Sequence, residues 1–486
     1  MAWYQRLWNL GRTKRLNDEI DRELAFHVAE RADALRAAGV AADEAEREAK
    51  RRVGHADLHR ERARDADVVA WLDSLLRDVR HAVRSLLRAP VFTAVAVGSL
   101  ALGIGGSTAI FALIDAVMLR PLPVPAPEDL VVIGMDERPE AYFTNPLWEE
   151  LDARQSGLSA VAAFSESHFN TADGGEPRRV YGVYVSGDYF RLFGARPAVG
   201  RLIGPSDDVR GCAPVAVLGH GFWRREFEAA GDVVGRSISL EGVTFEVVGV
   251  ARPGFAGPVV GREAQVYVPI CTSPVVDRNP GRLDARSSWW LRVMGRREAS
   301  LGVDQVDARL AAISPAAFES VVPANFSTAD QQEFRQHRFM ATASPAGVSS
   351  LRERYGDALT LLMAGVALVL LISSANVANL LLARSSARRR EFAIRAAIGA
   401  GRLRVVRQLI TESLLLALIG ACLGLFIATV GSRALVALIA TPSGIPITLD
   451  LSLSVRVLSF TMVVALLTAV LFGLVPAWRA GRVDVY

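Results

Sequence analysis

The sequence predicts a membrane protein with four transmembrane α-helices, a large external α+β domain and a small helical cytoplasmic prefix. Three observations carry this prediction. First, Leu359–Leu382 holds no charged residue, and a bilayer core of roughly 30 Å needs about 20 apolar helical residues. Second, an arginine-rich loop follows, with Arg384, Arg388, Arg389, Arg390, Arg395, Arg402, Arg404 and Arg407 offset by Glu391. Positive loops stay in the cytoplasm, so the hairpin formed with the apolar run Leu409–Leu438 turns inside. Third, Pro121–Asp357 lacks a spanning segment and carries the punctuation of a folded domain.

The bulk composition agrees. An apolar fraction of 51% exceeds that of a soluble enzyme and falls short of an all-membrane transporter. Lys14 and Lys50 are the only lysines, as a GC-rich genome produces. The arginine clusters border apolar spans and lack interleaved aromatics, which argues against a nucleic-acid partner. The three cysteines form no CxxC pair, which excludes a zinc ribbon or a thioredoxin-like motif.

Taken in order, residues 1–70 read as a cytoplasmic helical prefix. Leu16, Ile20, Leu24, Val28 and Leu35 recur at mostly four-residue spacing, the mark of an amphipathic helix. A second helix runs from about Asp43 to Val53. Residues 71–90 form a juxtamembrane helix whose stripe is Leu72, Leu75, Leu76, Val79, Val83, Leu86 and Leu87, with arginines mostly on the other faces. A basic amphipathic helix before a span lies in the membrane interface. Val91–Met118 is the first span, with Asp115 its only charge.

In the external domain, residues 119–357, strands are expected at Val215–Leu218, Ser237–Leu240, Thr244–Val250, Gln265–Pro269 and Trp290–Gly295. Glu241-Gly242 reads as a hairpin turn. Helices are expected at Phe222–Phe227 and where Val303, Val306, Leu310 and Ile313 share a face. The pattern weakens around Ser314–Ser350, which reads as a loop-rich subdomain or mobile insert. Cys212 and Cys271 both lie in this oxidising segment, where two cysteines can pair; Cys422 lies in a span. Residues 358–486 then hold spans at about 359–382, 409–438 and 457–475, and both termini face the cytoplasm.

Catalytic motifs are missing. Neither lysine sits in a Gly-Lys-Ser/Thr context, so there is no P-loop. His55 and His59 stand four apart, but Ala56 occupies the place of the HExxH glutamate, and the segment reads as solvated. No Gly-x-Ser-x-Gly elbow occurs. The expectation is no enzyme, no cofactor and no metal. Within the spans, Asn376, Asn379 and Glu412 are polar, and such residues usually face the bundle. Gly420 and Gly424 form a GxxxG match, a packing or dimerisation face.

The chain resembles the MacB/FtsX-like ABC transporter permeases. The residues that carry the resemblance are Gly103-Ile-Gly-Gly with Leu119-Arg-Pro-Leu-Pro at the first span, then Ala213-Pro-Val-Ala-Val-Leu, Val234-Gly-Arg and Phe245-Glu-Val-Val-Gly-Val in a MacB-like periplasmic core domain. Asn376-Val-Ala-Asn-Leu-Leu-Leu-Ala-Arg, Arg390-Glu-Phe-Ala-Ile-Arg-Ala-Ala-Ile-Gly-Ala, Gln408-Leu-Ile-Thr-Glu-Ser and Leu471-Phe-Gly-Leu-Val-Pro-Ala are similar to an FtsX-like permease domain. The helical prefix resembles that of the acidobacterial-type duplicated permeases, in which a second copy follows. Ending at Tyr486, this chain reads as a single-copy member or a truncated one.

The resemblance implies a multi-pass protein of the bacterial inner membrane that transmits ATP-driven motion to its periplasmic domain, for export or envelope substrate handling. Its partners would be a separate ABC ATPase subunit, a second permease in a homodimer or heterodimer, and a periplasmic adaptor. The ATPase-coupling loop would comprise Arg388, Arg390, Glu391, Arg395, Gly399, Arg402 and Arg404. The alternatives are an FtsX-like signalling protein without transport and a non-functional permease copy.

Overall fold

The computed structural model describes residues 68–171, 178–387, 402–440 and 449–480, with scattered positions between 26 and 47. The expected helical prefix and the residues 388–401 of the loop therefore lie outside, or almost wholly outside, the described residues, as do His55 and His59. The described chain forms two compact units. One comprises Met1–Ile104, Val369–Gly424 and Thr461–Tyr486; the other comprises Gly105–Leu368 and Leu425–Phe460.

Helix α1 spans Val68–Leu87 and α2 spans Pro90–Ile114. Proline starts α2 because its missing N–H needs no partner in a first turn. A π-helical turn, Asp115–Leu119, follows. The chain then builds β1 (Leu130–Met135), α3 (Asn145–Arg154), β2 (Leu158–Thr171), β3 (Arg178–Val185), α4 (Tyr189–Leu192) and β4 (Pro197–Gly200). Next come β5 (Val215–Leu218), α5 (His220–Glu226), β6 (Ser237–Leu240), β7 (Val243–Ala251), β8 (Val266–Pro269), α6 (Ser273–Val276) and β9 (Arg292–Arg297). The sheet domain closes with α7 (Val303–Ser320), α8 (Thr328–Gln336) and β10 (Phe339–Ala343). Three long helices end the chain: α9 (Ser350–Ala387), α10 (Arg402–Ala440) and α11 (Val455–Ala480).

The ten strands make one sheet in the order β10-β1-β9-β2-β3-β8-β5-β7-β4, with β6 paired to β7. The β3–β8 and β5–β7 pairs are parallel and the others antiparallel. Both faces are buried, which requires apolar residues at successive positions rather than every second one. On β1, Val131 and Ile133 join one core while Leu130 and Val132 join the other. The first core is covered by α3 and α7 through Leu147, Trp148, Leu151, Val306, Leu310 and Phe318. The second is covered by the aromatic group around Tyr189, whose ring lies 5.1–6.4 Å from those of Phe164, Phe190, Phe193, Phe255 and Tyr267. Each fully buried apolar side chain contributes about 1.5–3 kcal/mol, so this double-sided core dominates the domain's stability. Gly182 is needed within it, since a Cβ there would sit 2.3 Å from Phe169.

The expected strands at 215–218 and 237–240 occur as read, and the hairpin turn has positive φ at both Glu241 and Gly242, the I′ geometry that fits strand twist. The strand expected at Trp290–Gly295 starts instead at Arg292, after a bridge from Leu291 to Phe143. The loop-rich reading of Ser314–Ser350 is corrected. Helix α7 continues through Pro315 to Ser320, α8 is capped by Ser327, and β10 pairs with β1 at the sheet edge. Ser314 explains the continuity: its hydroxyl donates to the Leu310 carbonyl and accepts the Phe339 N–H, tying α7 to β10.

Among the described residues, three helices are long and apolar enough to cross a membrane: Pro90–Leu119, Leu351–Arg384 and Arg407–Leu438. The apolar stretch Val455–Leu471 of α11 is shorter.

Candidate coupling and substrate sites

The arginine-rich loop is bounded by Arg384 at the end of α9 and Arg407 near the start of α10. Both reach helix α1. Arg384 donates to the Ser85 carbonyl and to Ser85 Oγ at 3.1 Å, and its guanidinium lies 4.7 Å from the centre of the Phe92 ring. Arg407 Nε stands 2.6 Å from Asp78 Oδ2. Asp78, Ala82, Ser85 and Leu86 are buried, a spacing that places them on one face. Leu76, Val83 and Leu87 of the expected apolar stripe are exposed instead. The helix thus turns its small and polar face to the bundle and keeps apolar side chains free. The Thr93 hydroxyl fixes the α1–α2 corner by donating to the Leu86 carbonyl at 2.8 Å.

Helix packing behind this clamp is close. A Cβ on Gly420 would lie 2.8 Å from Leu100 Cβ, and one on Gly103 would lie 2.9 Å from Leu370. Gly424 is buried on the same helix. Glu412 is buried, as are Thr411, Ser413 and Ser374. Asn376 and Asn379 differ from expectation: both are exposed, because Ser374, Val377, Ala378 and Leu381 form the buried face of α9. Arg402 and Arg404 lie in the first turn of α10, whereas Arg388, Arg390, Glu391, Arg395 and Gly399 fall outside the described residues.

At the other end of α2 a second charge network appears, which the sequence announced only as a lone acid in an apolar run. Asp115 is 1% exposed. Its Oδ2 accepts from Ser454 Oγ at 2.9 Å and from Arg120 at 3.4 Å, and Arg456 lies 3.7 Å from Oδ1. Arg120 also pairs with Asp450 at 2.6 Å, and Arg456 donates to the Leu119 carbonyl. The start of α11 is thereby tied to the end of α2.

The sheet domain holds a cavity of about 270 Å³ whose lining includes Trp148, Glu149, Asp152, Asp188, Asp208 and Arg210. A disulfide between Cys212 and Cys271 secures its wall, with Cα atoms 6.1 Å apart. Asp208 accepts the Cys271 N–H at 2.9 Å. Burial pushes its carboxyl up to about 7, against the lowering effect of that hydrogen bond, and the nearby Glu149 and Asp152 add to the rise. Arg210 bridges Glu149 and Asp284. No sequence motif announces this cavity; its lining comes from segments spread between Asn145 and Leu283. Among the described residues no group of three or more His, Cys, Asp or Glu side chains is arranged to hold a metal ion.

Comparison with known proteins bears on both ends of the chain. The MacB-like periplasmic core domain matches residues 93–313, and the FtsX-like permease C-terminal domain matches residues 363–485. The macrolide export ATP-binding/permease protein MacB of Rhodospirillum rubrum is 30% identical over 281 residues, 57% of this chain and 38% of that protein. The pyoverdine export ATP-binding/permease protein PvdT of Pseudomonas entomophila is 26% identical, covering 62% of this chain and 42% of its own length. An uncharacterized ABC transporter permease, YvrN of Bacillus subtilis, is 27% identical over 63% of this chain and 68% of its own. The match thus spans about two-fifths of the ATP-binding/permease relatives. The crystal structure of the periplasmic region of MacB from Actinobacillus actinomycetemcomitans aligns with a TM-score of 0.31 at 15% identity, over 48% of this chain and 94% of that one. The chain thus carries a MacB-like periplasmic core domain and an FtsX-like permease C-terminal domain.

Proposed function

We propose that this permease is the membrane subunit of an exporter driven by a separate ABC ATPase, which docks on the arginine-rich loop between α9 and α10. The observation that carries this reading is the double grip of the loop's bases on one helix. Arg384 and Arg407 both hold α1, through Ser85 and Asp78. A push on the loop would therefore move α1, α9 and α10 together rather than bend a slack connection. Helices α9 and α10 run about 57 Å each at 1.5 Å per residue, long enough to carry such a motion across a bilayer. In this reading α11 is the fourth span, the termini are cytoplasmic, and α1 lies in the interface with Leu76, Val83 and Leu87 toward lipid.

The chain would work as one half of a pair. Asn376 and Asn379 sit on an exposed face of a span, where hydrocarbon offers no hydrogen bonds, and polar residues in spans usually meet a partner helix. The exported compound would belong to the broad class that the relatives' names indicate, secondary metabolites such as macrolides and pyoverdines, handled on the periplasmic side.

Reversing two loop charges tests the coupling. Glu391→Arg with Arg395→Glu should leave membrane insertion and the Cys212–Cys271 bond unchanged. Co-purification of the ATPase should fall, since like charges facing across an interface cost several kcal/mol, and ATP turnover should lose its dependence on the permease. Wild-type binding and stimulation by the double variant would remove the docking assignment.

A further inference from the structure

Helix α1 carries three faces side by side. At about 100° per residue, Asp78, Ala82, Ser85 and Leu86 cover one side, which is buried. Leu76, Val83 and Leu87 share a second side, and all three are exposed. Arg80, Arg84 and Arg88 share a third, at four-residue spacing, and they too are exposed. The row is continuous, because the Arg88 N–H donates to the Arg84 carbonyl at 3.2 Å and carries the helical turn past Leu87. It covers about 12 Å at 1.5 Å per residue.

The charge of this row is uncompensated. Between Leu76 and Arg88 the only acid is Asp78, which lies on the buried side and is held by Arg407. Among the described residues Arg80, Arg84 and Arg88 form no ion pair. An apolar side bordered by a basic one complements a bilayer surface, where acyl chains meet leucine and valine and phosphates meet guanidinium groups. Arginine suits the second contact. Its stem lies along apolar surface while its head reaches outward, and its planar fork takes a phosphate through two hydrogen bonds. The position agrees. Only Ala89 separates Arg88 from Pro90, where the apolar helix α2 begins, and the Thr93 hydroxyl pins that corner.

We propose that Arg80, Arg84 and Arg88 form a docking surface for anionic phospholipid headgroups, with Leu76, Val83 and Leu87 against the adjoining acyl chains. This rests on the reading of α1 as an interfacial helix and adds to it a preference for the charge of the lipid. A zwitterionic headgroup brings its own cation to the phosphate, whereas an anionic one leaves the arginines to supply the counter-charge.

The test reconstitutes the full chain in phosphatidylcholine vesicles holding a minor share of phosphatidylglycerol, with a photo-crosslinking residue in place of Val83. Captured lipid is identified by mass spectrometry. Phosphatidylglycerol should be enriched about fivefold over its share of the bilayer, the effect of one arginine near a charged surface. A crosslinker in place of Leu371, exposed on α9, should capture the two lipids at the bulk ratio. Arg80→Gln, Arg84→Gln and Arg88→Gln together should bring capture at position 83 down to that ratio, while the three lysine substitutions should keep most of the enrichment. Arg84→Gln alone should lower it about twofold, and serves if the triple glutamine variant fails to insert. Capture at the bulk ratio beside the wild-type arginines, or enrichment that the glutamines leave unchanged, would overturn the headgroup site and leave α1 in the interface. Capture of protein in place of lipid, whether the chain's own residues 1–67 or a second copy, would overturn both.

Discussion

The sheet domain and the helical bundle solve the burial problem in opposite ways. The sheet domain closes on itself. Both faces of its ten-stranded sheet are covered, and the side chains of Phe164, Tyr189, Phe245, Tyr267 and Phe318 are essentially inaccessible. The bundle leaves Leu361, Leu371, Phe426, Leu438 and Val463 more than half exposed. Exposed apolar side chains on this scale mark contact with lipid or a partner. The sheet domain is therefore stabilised from within, while the bundle depends on its surroundings, and perturbations of the two should behave differently.

The largest expected effect is in the sheet domain. Cys212 and Cys271 are 59 residues apart in sequence. Closing a loop of that length stabilises by about 4 kcal/mol in the chain-entropy account. Cys212→Ser with Cys271→Ser should lower the domain's thermal midpoint by roughly 8–16 °C, at the 2–4 °C per kcal/mol usual for this size. Membrane insertion should be unaffected. Scanning fluorimetry with and without reductant measures it, and loss of insertion in the double variant would show that the two regions are not independent.

Next comes Asp208. Its folded carboxyl titrates at about 7 because of burial, whereas the unfolded one titrates near 3.9. The folded state therefore holds the extra proton between these values, and stability falls as pH rises from about 4 to 7 and then levels off. The drop is on the order of 2–4 kcal/mol. Asp208→Asn keeps an acceptor for the Cys271 N–H but removes the charge, so its advantage should grow across that window and vanish below it. Thermal midpoints of both proteins from pH 4 to pH 8 decide the matter; parallel curves would place the carboxylate in a better solvated site than the fold indicates.

Gly420 probes the bundle. A side chain there must displace Leu100, since even a Cβ would approach to 2.8 Å. Gly420→Val should cost about 1–3 kcal/mol and lower the midpoint in detergent. The same change should leave the Cys212–Cys271 disulfide and the sheet's own unfolding transition untouched.

The smallest effect on stability belongs to the Asp78–Arg407 pair, with the arginine side chain 38% exposed. Pairs this open contribute about 1 kcal/mol or less, yet this one sits where the proposed motion enters. Asp78→Ala should barely change the midpoint but reduce permease-dependent ATP turnover. Asp78→Arg with Arg407→Asp should restore part of it, and a double-mutant cycle measures the coupling. Full turnover in Asp78→Ala would move the coupling away from α1.

Much of the architecture was legible because the physics behind it is one-dimensional. Runs such as Leu359–Leu382 are long and apolar whatever they pack against, and the Glu241-Gly242 turn needs a positive φ at its second residue, which glycine supplies without strain. The strands β2 and β3 were not legible. Leu158–Thr171 contains Ser, Glu, His and Asn, and its hydrophobicity is split between two buried faces, so no alternation survives to be counted. Residues 314–350 misled for a related reason: Pro315 suggests a break, but α7 is held across it by packing at Phe318 and by Ser314.

The sequence by itself determined the apolar helices, the family resemblance, and the two cysteines available to pair between the first and second apolar helices, since each rests on composition or on a local motif. Only the tertiary structure decided which groups meet. Asp78 with Arg407, Asp115 with Arg456, and Asp208 with the Cys271 amide are pairs separated by tens to hundreds of residues. The burial that raises Asp208 and the packing face that excludes Asn376 and Asn379 arise only when distant segments close around them. Charge and hydrophobicity are properties of a residue; desolvation and partnership are properties of the place to which the fold brings it.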